Sequence, residues 1–464
     1  MCDSYKSKDS AIKIVKTVTP LFNASREPTP RYDCQFVQFD NGLRLCLVPF
    51  PGIKTVSIRS FVFVGSVYES PDLNGISHFL EHMLFRGNSK LGNAVSLSRK
   101  MEELGGEFNA ATSFDMTEYW LDFHKDYLQL GLTRFCHFLQ YPLFEQIEVE
   151  RSIILEEIKV DYNEDNNLID LDSLTSKLLW PNHPMGMPII GNETTISGVS
   201  REDLIKWHQE YYQPGNIVLG ITGDFEFNEV IDLIEQQFQA GRSQSDSKRY
   251  TAITKHTKKR TPLQLVQDQD NQFGFQWSFP CYRLSKELKV EYELIRRILD
   301  DGNSSRLQRL IREEKGLVYD ISLDNTYFAE GVVMSLQSLV GINRLEELII
   351  ALVELIGSLI AEGIDEEELS LAKLRYRSAL ECNNDSAQGI LYSLLTPILY
   401  PASGTFEEVL LLMEQITTDR INKTLRTLLD QGLTSFVLVG PWRDADKAML
   451  TDKLSHWIKG RNIS

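Results

Sequence analysis

Two histidines and a glutamate stand near residue 80 in a spacing that can do chemistry. The sequence there reads HFLEH, with His78, Glu81 and His82. Residues i and i+4 of a helix lie on one face, so the two imidazoles can reach one metal ion together. Glu81 lies beside that ion without having to bind it, and it could take a proton from a water molecule that the ion polarises. The spacing predicts a metal-dependent hydrolytic site, with ordinary helical histidines as the alternative.

Zinc is the metal that this ligand set favours. It accepts two imidazoles and one carboxylate and leaves one position for water. A third ligand must then come from another element, and a predicted helix over residues 144–163 offers Glu150 and Glu157 on one face, seven residues apart. Because glutamates on long helices are more often solvated charges, the residues alone leave the third ligand open. The predicted apolar stripe of this helix consists of Ile153, Ile154, Leu155 and Ile158.

The elements around these residues follow from the apolar pattern. Residues 35–50 alternate around an Asp-Asn-Gly turn, which is typical of a hairpin. Ile76, Phe79, Leu80 and Met83 recur at helical spacing and place HFLEH on a helix. After residue 261 the order of strands and helices repeats, without a second HxxEH motif. The pattern predicts two similar α+β domains.

The predicted boundaries follow changes in composition. A polar stretch without apolar periodicity separates the two halves and is interpreted as a linker. The predicted parts are a polar lead-in at 1–30, a zinc-binding domain at 31–240, the linker at 241–261 and a domain without the zinc motif at 262–464.

Composition limits the partners and the compartment. A net charge of -17 disfavours nucleic acid and anionic membrane surfaces, and it is compatible with basic peptides. Six scattered cysteines without a CxxC pair do not make a disulfide framework. We find neither a secretory signal nor an apolar stretch long enough to span a membrane. These features predict a cytoplasmic protein.

The metal motif and the glutamate helix together resemble a known family. HFLEH followed by ERSIILEE is similar to the pitrilysin/insulinase family of zinc metallopeptidases, the inverzincins, in which HxxEH reverses the usual HExxH. The resemblance implies that Glu157, 75 residues after His82, is the third zinc ligand, and that Glu156 is its neighbour. It also implies one Zn²⁺ per chain, Glu81 as general base and then general acid, and Glu150 as the residue that orients His82 or His78.

Two further segments resemble the family. GGEFNAATSFDMTEYW is similar to its edge-strand region, which implies that substrate backbone pairs with Asn109, Ala110 and Ala111. The alternative for Asn109 is a strand-end residue in a turn. GNSSRLQRLIREEKGLVYDIS implies an arginine and a tyrosine that steady the substrate carbonyl and the oxyanion, Arg312 and Tyr319. Their alternatives are a helix C-terminal cation and a half-buried strand aromatic.

The resemblance also implies a fold and a function. The expected fold has two homologous domains like those of LuxS and mitochondrial processing peptidase, each a mainly antiparallel sheet packed with helices. The expected function is zinc-dependent hydrolysis of peptide bonds in peptides or unfolded segments. Because longer relatives use four such domains, a chamber made by a homodimer or by a heterodimer with a related chain is expected. An active or inactive subunit of a heterodimeric processing peptidase and a non-catalytic peptide-binding protein remain alternatives.

Overall fold

The structure is a computed structural model that describes residues 13–14, 33–238, 263–329, 331–430 and 434–455. The chain divides into two compact units. The first contains residues 1–155, 189–250 and 384–395, and the second contains residues 156–188, 251–383 and 396–464. The linker expected at 241–261, and the lead-in expected at 1–30 apart from Lys13–Ile14, lie outside the described residues. The domain boundaries therefore stay predictions.

Among the described residues, nine strands belong to the first unit. They are β1 (Lys13–Ile14), β2 (Gln35–Gln38), β3 (Arg44–Pro49), β4 (Thr55–Val62), β5 (Gly87–Asn88), β6 (Gly92–Asn93), β7 (Phe108–Thr112), β8 (Thr117–His124) and β9 (Ile217–Gly223). Seven of them form one sheet in the order β1-β2-β3-β9-β4-β8-β7. Only β3 and β9 pair in parallel among these strands. Strand β7 therefore lies at an edge, where half of its backbone groups face away from the sheet.

The second unit repeats this arrangement with five strands in the part that the structure describes. They are β10 (Leu263–Gln267), β11 (Gln272–Tyr282), β12 (Ile321–Phe328), β13 (Gly331–Gly341) and β14 (Ser435–Gly440). Their order is β10-β14-β11-β13-β12, and only β10 and β14 pair in parallel. This is the order β3-β9-β4-β8-β7 of the first unit, strand for strand. The predicted α+β fold of two similar, mainly antiparallel domains is confirmed.

Helices pack on both sheets. They are α1 (Ile76–Leu84), α2 (Ala94–Glu102), α3 (Leu128–Gln140), α4 (Ile147–Lys159), α5 (Leu171–Leu179), α6 (Glu193–Gly198), α7 (Arg201–Tyr211), α8 (Phe227–Gln237), α9 (Lys286–Leu299), α10 (Leu345–Ala361), α11 (Glu366–Asn383), α12 (Ala387–Leu399), α13 (Phe406–Gln415), α14 (Thr418–Asp430) and α15 (Asp444–Lys453). Each unit also draws a helix from the other half of the chain. Residues 387–395 of α12 belong to the first unit and α5 to the second.

Helix α4 is shorter than the predicted helix over residues 144–163. Phe144 and Gln146 have left-handed backbone conformations, with φ of 53° and 57°, so a regular helix cannot run through them. The carbonyl of Gln146 accepts the N–H of Glu150, which starts the helix after these residues. Beyond Lys159, the side chain of Asn163 accepts N–H groups from Asp165 and Asn167, and this turn ends the helix.

The most apolar helix, α10, lies in the core of the second unit. Its buried residues include Leu348, Leu352 and Leu359, and its first turn carries two glutamates. Across the part of the chain that the structure describes, no helix is long and apolar enough to cross a membrane. The cytoplasmic location stays a prediction.

Candidate metal site

Helix α1 carries the HFLEH motif, and the close approach of another chain segment fixes its first residue. Gly75 precedes the helix with φ of +91°, a conformation that side chains other than glycine rarely adopt. A Cβ atom there would lie 2.6 Å from the carbonyl oxygen of Ile190. The four apolar residues predicted to face the core are fully buried: Ile76, Phe79, Leu80 and Met83. Burial of this stripe fixes the rotation of the helix about its axis.

The three predicted ligands come together. One donor atom from each of His78, His82 and Glu157 lies within 4.8 Å of the others. The two imidazole rings of His78 and His82 are 4.5 Å apart between centroids, as expected one helical turn apart. Glu157 lies near the end of α4.

Glu150 contacts one of the two histidines, His82. Its Oε1 lies 2.7 Å from Nδ1 of His82, and its Oε2 accepts a hydrogen bond from Nε of Arg86. Glu150 is only 4% exposed. When His82 donates Nδ1–H to this carboxylate, its lone pair is on Nε2, which is the form that binds a metal.

The chemistry of these donors fits a zinc ion. Burial, with a smaller contribution from His82, lowers the pKa of His78 to about 3, so its imidazole is neutral and can coordinate a metal near neutral pH. Two neutral imidazoles and one carboxylate form a set that zinc binds while leaving a position for water. Glu156, which is exposed, accepts a hydrogen bond from Lys159 at 2.6 Å and is not part of the cluster. Ile153, predicted in the apolar stripe, is 44% exposed, so that part of the prediction is wrong.

Glu81 connects helix α1 to the edge strand β7. It is 9% exposed, and its Oε2 accepts a hydrogen bond of 2.5 Å from Oγ1 of Thr112, the last residue of β7. Residues 108, 110 and 112 share one face of the strand. At the other end of that face, the Phe108 ring packs at 4.9 Å from the ring of Phe85, just after α1. The edge strand is thereby fixed against the helix that carries Glu81.

The hydrogen-bond pattern shows which backbone groups of β7 face outwards. The N–H of Asp122 bonds the carbonyl of Glu107, and farther along the N–H of Ser113 bonds the carbonyl of Met116, both at 2.8 Å. Because paired and unpaired positions alternate in an antiparallel ladder, the N–H of Ala110 points away from β8. It donates instead to Oδ1 of Asn109 at 2.9 Å. Asn109 lies within β7 and is exposed, so the alternative that it sits in a turn is wrong.

Arg312 and Tyr319 lie next to each other in the second unit. The Arg312 guanidinium is 6.0 Å from the centre of the Tyr319 ring, within the range of a cation–π contact. Tyr319 precedes β12 and is 89% exposed, so the half-buried strand aromatic is excluded. Arg312 lies in the last turn of a π-helical segment at 308–314, consistent also with a helix C-terminal cation. Arg344 hydrogen-bonds the carbonyls of Lys315 and Gly316 and holds the loop between the two residues.

Sequence reasoning missed two residues that contact the site. Thr112 is 31 residues from Glu81 in the chain, and Arg86 is 64 residues from Glu150. No short motif links either pair. A usable signal for Arg86 is its position, because it stands four residues after His82, in the turn that directly follows α1.

Sequence models of one family match both halves of the chain. The model described as "Insulinase (Peptidase family M16)" matches residues 48–193, and the model described as "Peptidase M16 inactive domain" matches residues 198–376. The first contains the HFLEH motif and Glu157, whereas the second contains Arg312 and Tyr319. The chain belongs to peptidase family M16, the insulinase family, in its short two-domain form.

Relatives and solved structures agree with this family. An uncharacterized zinc protease, YmxG of Bacillus subtilis, is 26% identical over 89% of this chain and 98% of its own length. The crystal structure of a protease from Helicobacter pylori has a TM-score of 0.81 at 20% identity, covering 88% of this chain and 100% of that one. A structure titled as a peptidase M16 inactive domain, from Pseudomonas fluorescens, has a TM-score of 0.77 at 17% identity over 88% and 98%. The solved structures support the fold.

We predict that Glu157→Gln weakens zinc binding by more than ~100-fold. Loss of a residue that only hydrogen-bonds a metal ligand already lowers metal affinity by about 10- to 100-fold, and loss of the ligand itself should lower it further. Competition with a chromophoric chelator measures the dissociation constant. Glu156→Gln is the matched control, and its zinc affinity should stay within about twofold of wild type because a surface ion pair contributes little. Equal zinc affinities for the two variants would contradict Glu157 as a ligand.

Proposed function

We propose that this chain is a zinc-dependent endopeptidase that hydrolyses peptide bonds in peptides or unfolded segments. The observation that carries the proposal is the grouping of His78, His82 and Glu157 within 4.8 Å of one another, with Glu81 one helical turn after His78. These three ligands would hold one Zn²⁺ per chain. A bound zinc ion would supply Lewis acidity, which lowers the pKa of a water molecule and polarises a peptide carbonyl.

Glu81 is the residue that transfers the proton during hydrolysis. Its carboxylate accepts a proton from the attacking water and then gives it to the nitrogen of the leaving amine. The 2.5 Å hydrogen bond from Thr112 fixes Oε2, so the carboxylate needs little reorientation before it acts. Glu150 keeps His82 in the tautomer that binds through Nε2.

The substrate binds as an added strand on β7. An extended peptide can accept a hydrogen bond from the outward N–H of Ala110 once Asn109 releases it. Asn109 and Ala111 present exposed side chains on the other face of the same strand. Because backbone pairing does not read side chains, this mode suits a broad range of peptides.

A non-catalytic peptide-binding protein is the second candidate. The same open edge of β7 favours it, since strand addition alone binds a peptide without cleaving it. An inactive subunit of a heterodimer fits less well, because HFLEH, Glu157, Arg312 and Tyr319 all occur in this one chain.

We predict that Glu81→Gln lowers kcat for peptide cleavage by at least ~100-fold, since general acid–base groups contribute about that much or more. Purified wild-type and variant proteins would digest a mixed pool of unstructured peptides, with products read by mass spectrometry. Zinc content must match in both proteins, and removing zinc from wild type should abolish cleavage until zinc is added back. Zinc-loaded wild type that binds peptides without cleaving them would favour the second candidate.

We predict that Ala110→Pro raises KM roughly five- to tenfold with little change in kcat. Proline removes the outward N–H, and an edge strand accepts proline where the N–H faces solvent. Loss of one hydrogen bond of about 1 kcal/mol corresponds to that change. Ala110→Ser, which keeps the N–H, is the control and should retain the wild-type KM. An unchanged KM in a folded Ala110→Pro protein would rule out strand addition at this position.

We further propose that two chains assemble, as a homodimer or with a related chain, and that Arg312 and Tyr319 of one chain complete the zinc site of the other. The exposure of Tyr319 supports this proposal, because a large aromatic side chain on a fixed loop is well placed to contact another molecule. In that position the pair would donate hydrogen bonds to the substrate carbonyl and to the oxyanion.

Mixing two inactive variants of a homodimer tests this arrangement. Random exchange between Glu81→Gln and Tyr319→Phe chains makes half of the dimers mixed, and each mixed dimer has one intact site. About a quarter of wild-type activity should therefore return. Exchange is checked with differently labelled chains. Complete exchange without recovered activity would show that the pair does not act across a homodimer.

A further inference from the structure

Helix α1 begins without a capping side chain of its own. Gly75 occupies the N-cap position and has no side chain, and the first turn contains no acidic residue. The first N–H groups of a helix have no partner within the helix and need an acceptor. For a helix of only nine residues that carries His78, Glu81 and His82, the position of the first turn affects all three.

Glu69 supplies the missing acceptors from outside the helix. Its Oε2 accepts the N–H of Gly75 at 2.7 Å, and its Oε1 accepts the N–H of Ser77 at 2.9 Å. The side-chain amide of Asn74 donates to Oε2 at 3.1 Å and orients the carboxylate. Both Glu69 and Asn74 are buried, with exposures of 3% and 1%. A buried carboxylate is costly unless such donors stabilise it, so this one is held in a single position.

Glu69 is linked to the metal cluster through the first turn of α1. Ser77, whose N–H it accepts, is directly followed by His78. Burial raises the pKa of Glu69 to about 7, and the N–H groups of Gly75 and Ser77 oppose this shift because they favour the ionised carboxylate. Loosening the first turn would let His78 move, while His82 would remain tied to Glu150.

We propose that Glu69 is a positioning residue for the metal site: its carboxylate fixes the first turn of α1 and so the position of His78 relative to His82 and Glu157. The inference rests on the proposed zinc site. In this role Glu69 contacts neither the zinc ion nor the substrate. Its effect is to keep the ligands in place before zinc arrives.

Glu69→Gln is the variant that tests the proposal. Glutamine has the same shape but only one acceptor oxygen, so the N–H of Gly75 or of Ser77 would face an NH₂ group. We expect zinc affinity to fall about tenfold, the lower end of the effect seen for groups that orient ligands. We also expect faster amide hydrogen exchange over residues 76–84 of the zinc-free protein, with no change in α2. Both measurements are independent of peptide cleavage.

Ser285→Ala is the matched control. Ser285 caps α9, the helix that follows β11 as α1 follows β4, by accepting the N–H of Leu288 at 3.2 Å. This variant should lower thermal stability to a similar degree while leaving the zinc affinity at the wild-type value. A general effect of lost stability would instead weaken zinc binding in both variants.

The outcomes distinguish the proposed metal site from the proposed role of Glu69. Wild-type protein that does not bind zinc would overturn the proposed metal site. Wild type and Glu69→Gln with equal zinc affinity would overturn only the role of Glu69. If Glu69→Gln does not fold, Asn74→Ala tests the role of Glu69, because this variant keeps the Glu69 carboxylate but removes the side-chain amide that orients it. We expect about threefold weaker zinc binding there, and wild-type affinity would contradict the inference.

Discussion

The hydrogen bond between Glu150 and His82 is the contact on which the metal site depends. Taking a carboxylate out of water is costly, and the hydrogen bonds of the buried Glu150 with His82 and Arg86 offset that cost. The contact between Glu150 and His82 fixes the ring of His82 and joins α4 to α1. Two helical turns farther along α4, Glu157 then reaches the histidines. The ligand set is therefore built from two helices, and this buried contact helps to hold them in register.

The second unit shows what replaces this contact when the metal motif is absent. Its helices α9 and α11 hold the places in chain order that α1 and α4 hold in the first unit. There Asp301 accepts hydrogen bonds from Arg297 at 2.7 Å and from Arg375 at 2.8 Å. Cations and a carboxylate join these helices directly, without histidines. The repeated sheet thus supports a metal site in one unit and an ion-pair network in the other.

Local signals predicted a large part of the fold and the site. The hairpin of β2 and β3 and the rotation of α1 follow from spacing within short segments. Glu157 was assigned only through the resemblance to the family, because the residues alone left the third ligand open. The start of α4 was not predictable, because the left-handed backbone at Phe144 and Gln146 has no apolar pattern. Thr112 was missed because its contact with Glu81 depends on how β7 packs against α1. The exposure of Tyr319 likewise depends on the loop that precedes it. Arg344 holds this loop by a hydrogen bond to the carbonyl of Gly316, 28 residues earlier in the chain.

X-ray absorption at the zinc edge of the zinc-loaded protein identifies the atoms that bind the metal, so it is the sharpest test of the proposed ligands. With His78, His82 and Glu157 as the ligands, we expect two imidazole nitrogens at about 2.0–2.1 Å together with oxygen ligands and no sulfur. The His82→Ala variant, loaded with zinc at high concentration, should lose one imidazole from the spectrum. A first shell without imidazole, or one containing sulfur, would contradict the assignment of His78, His82 and Glu157 as the site.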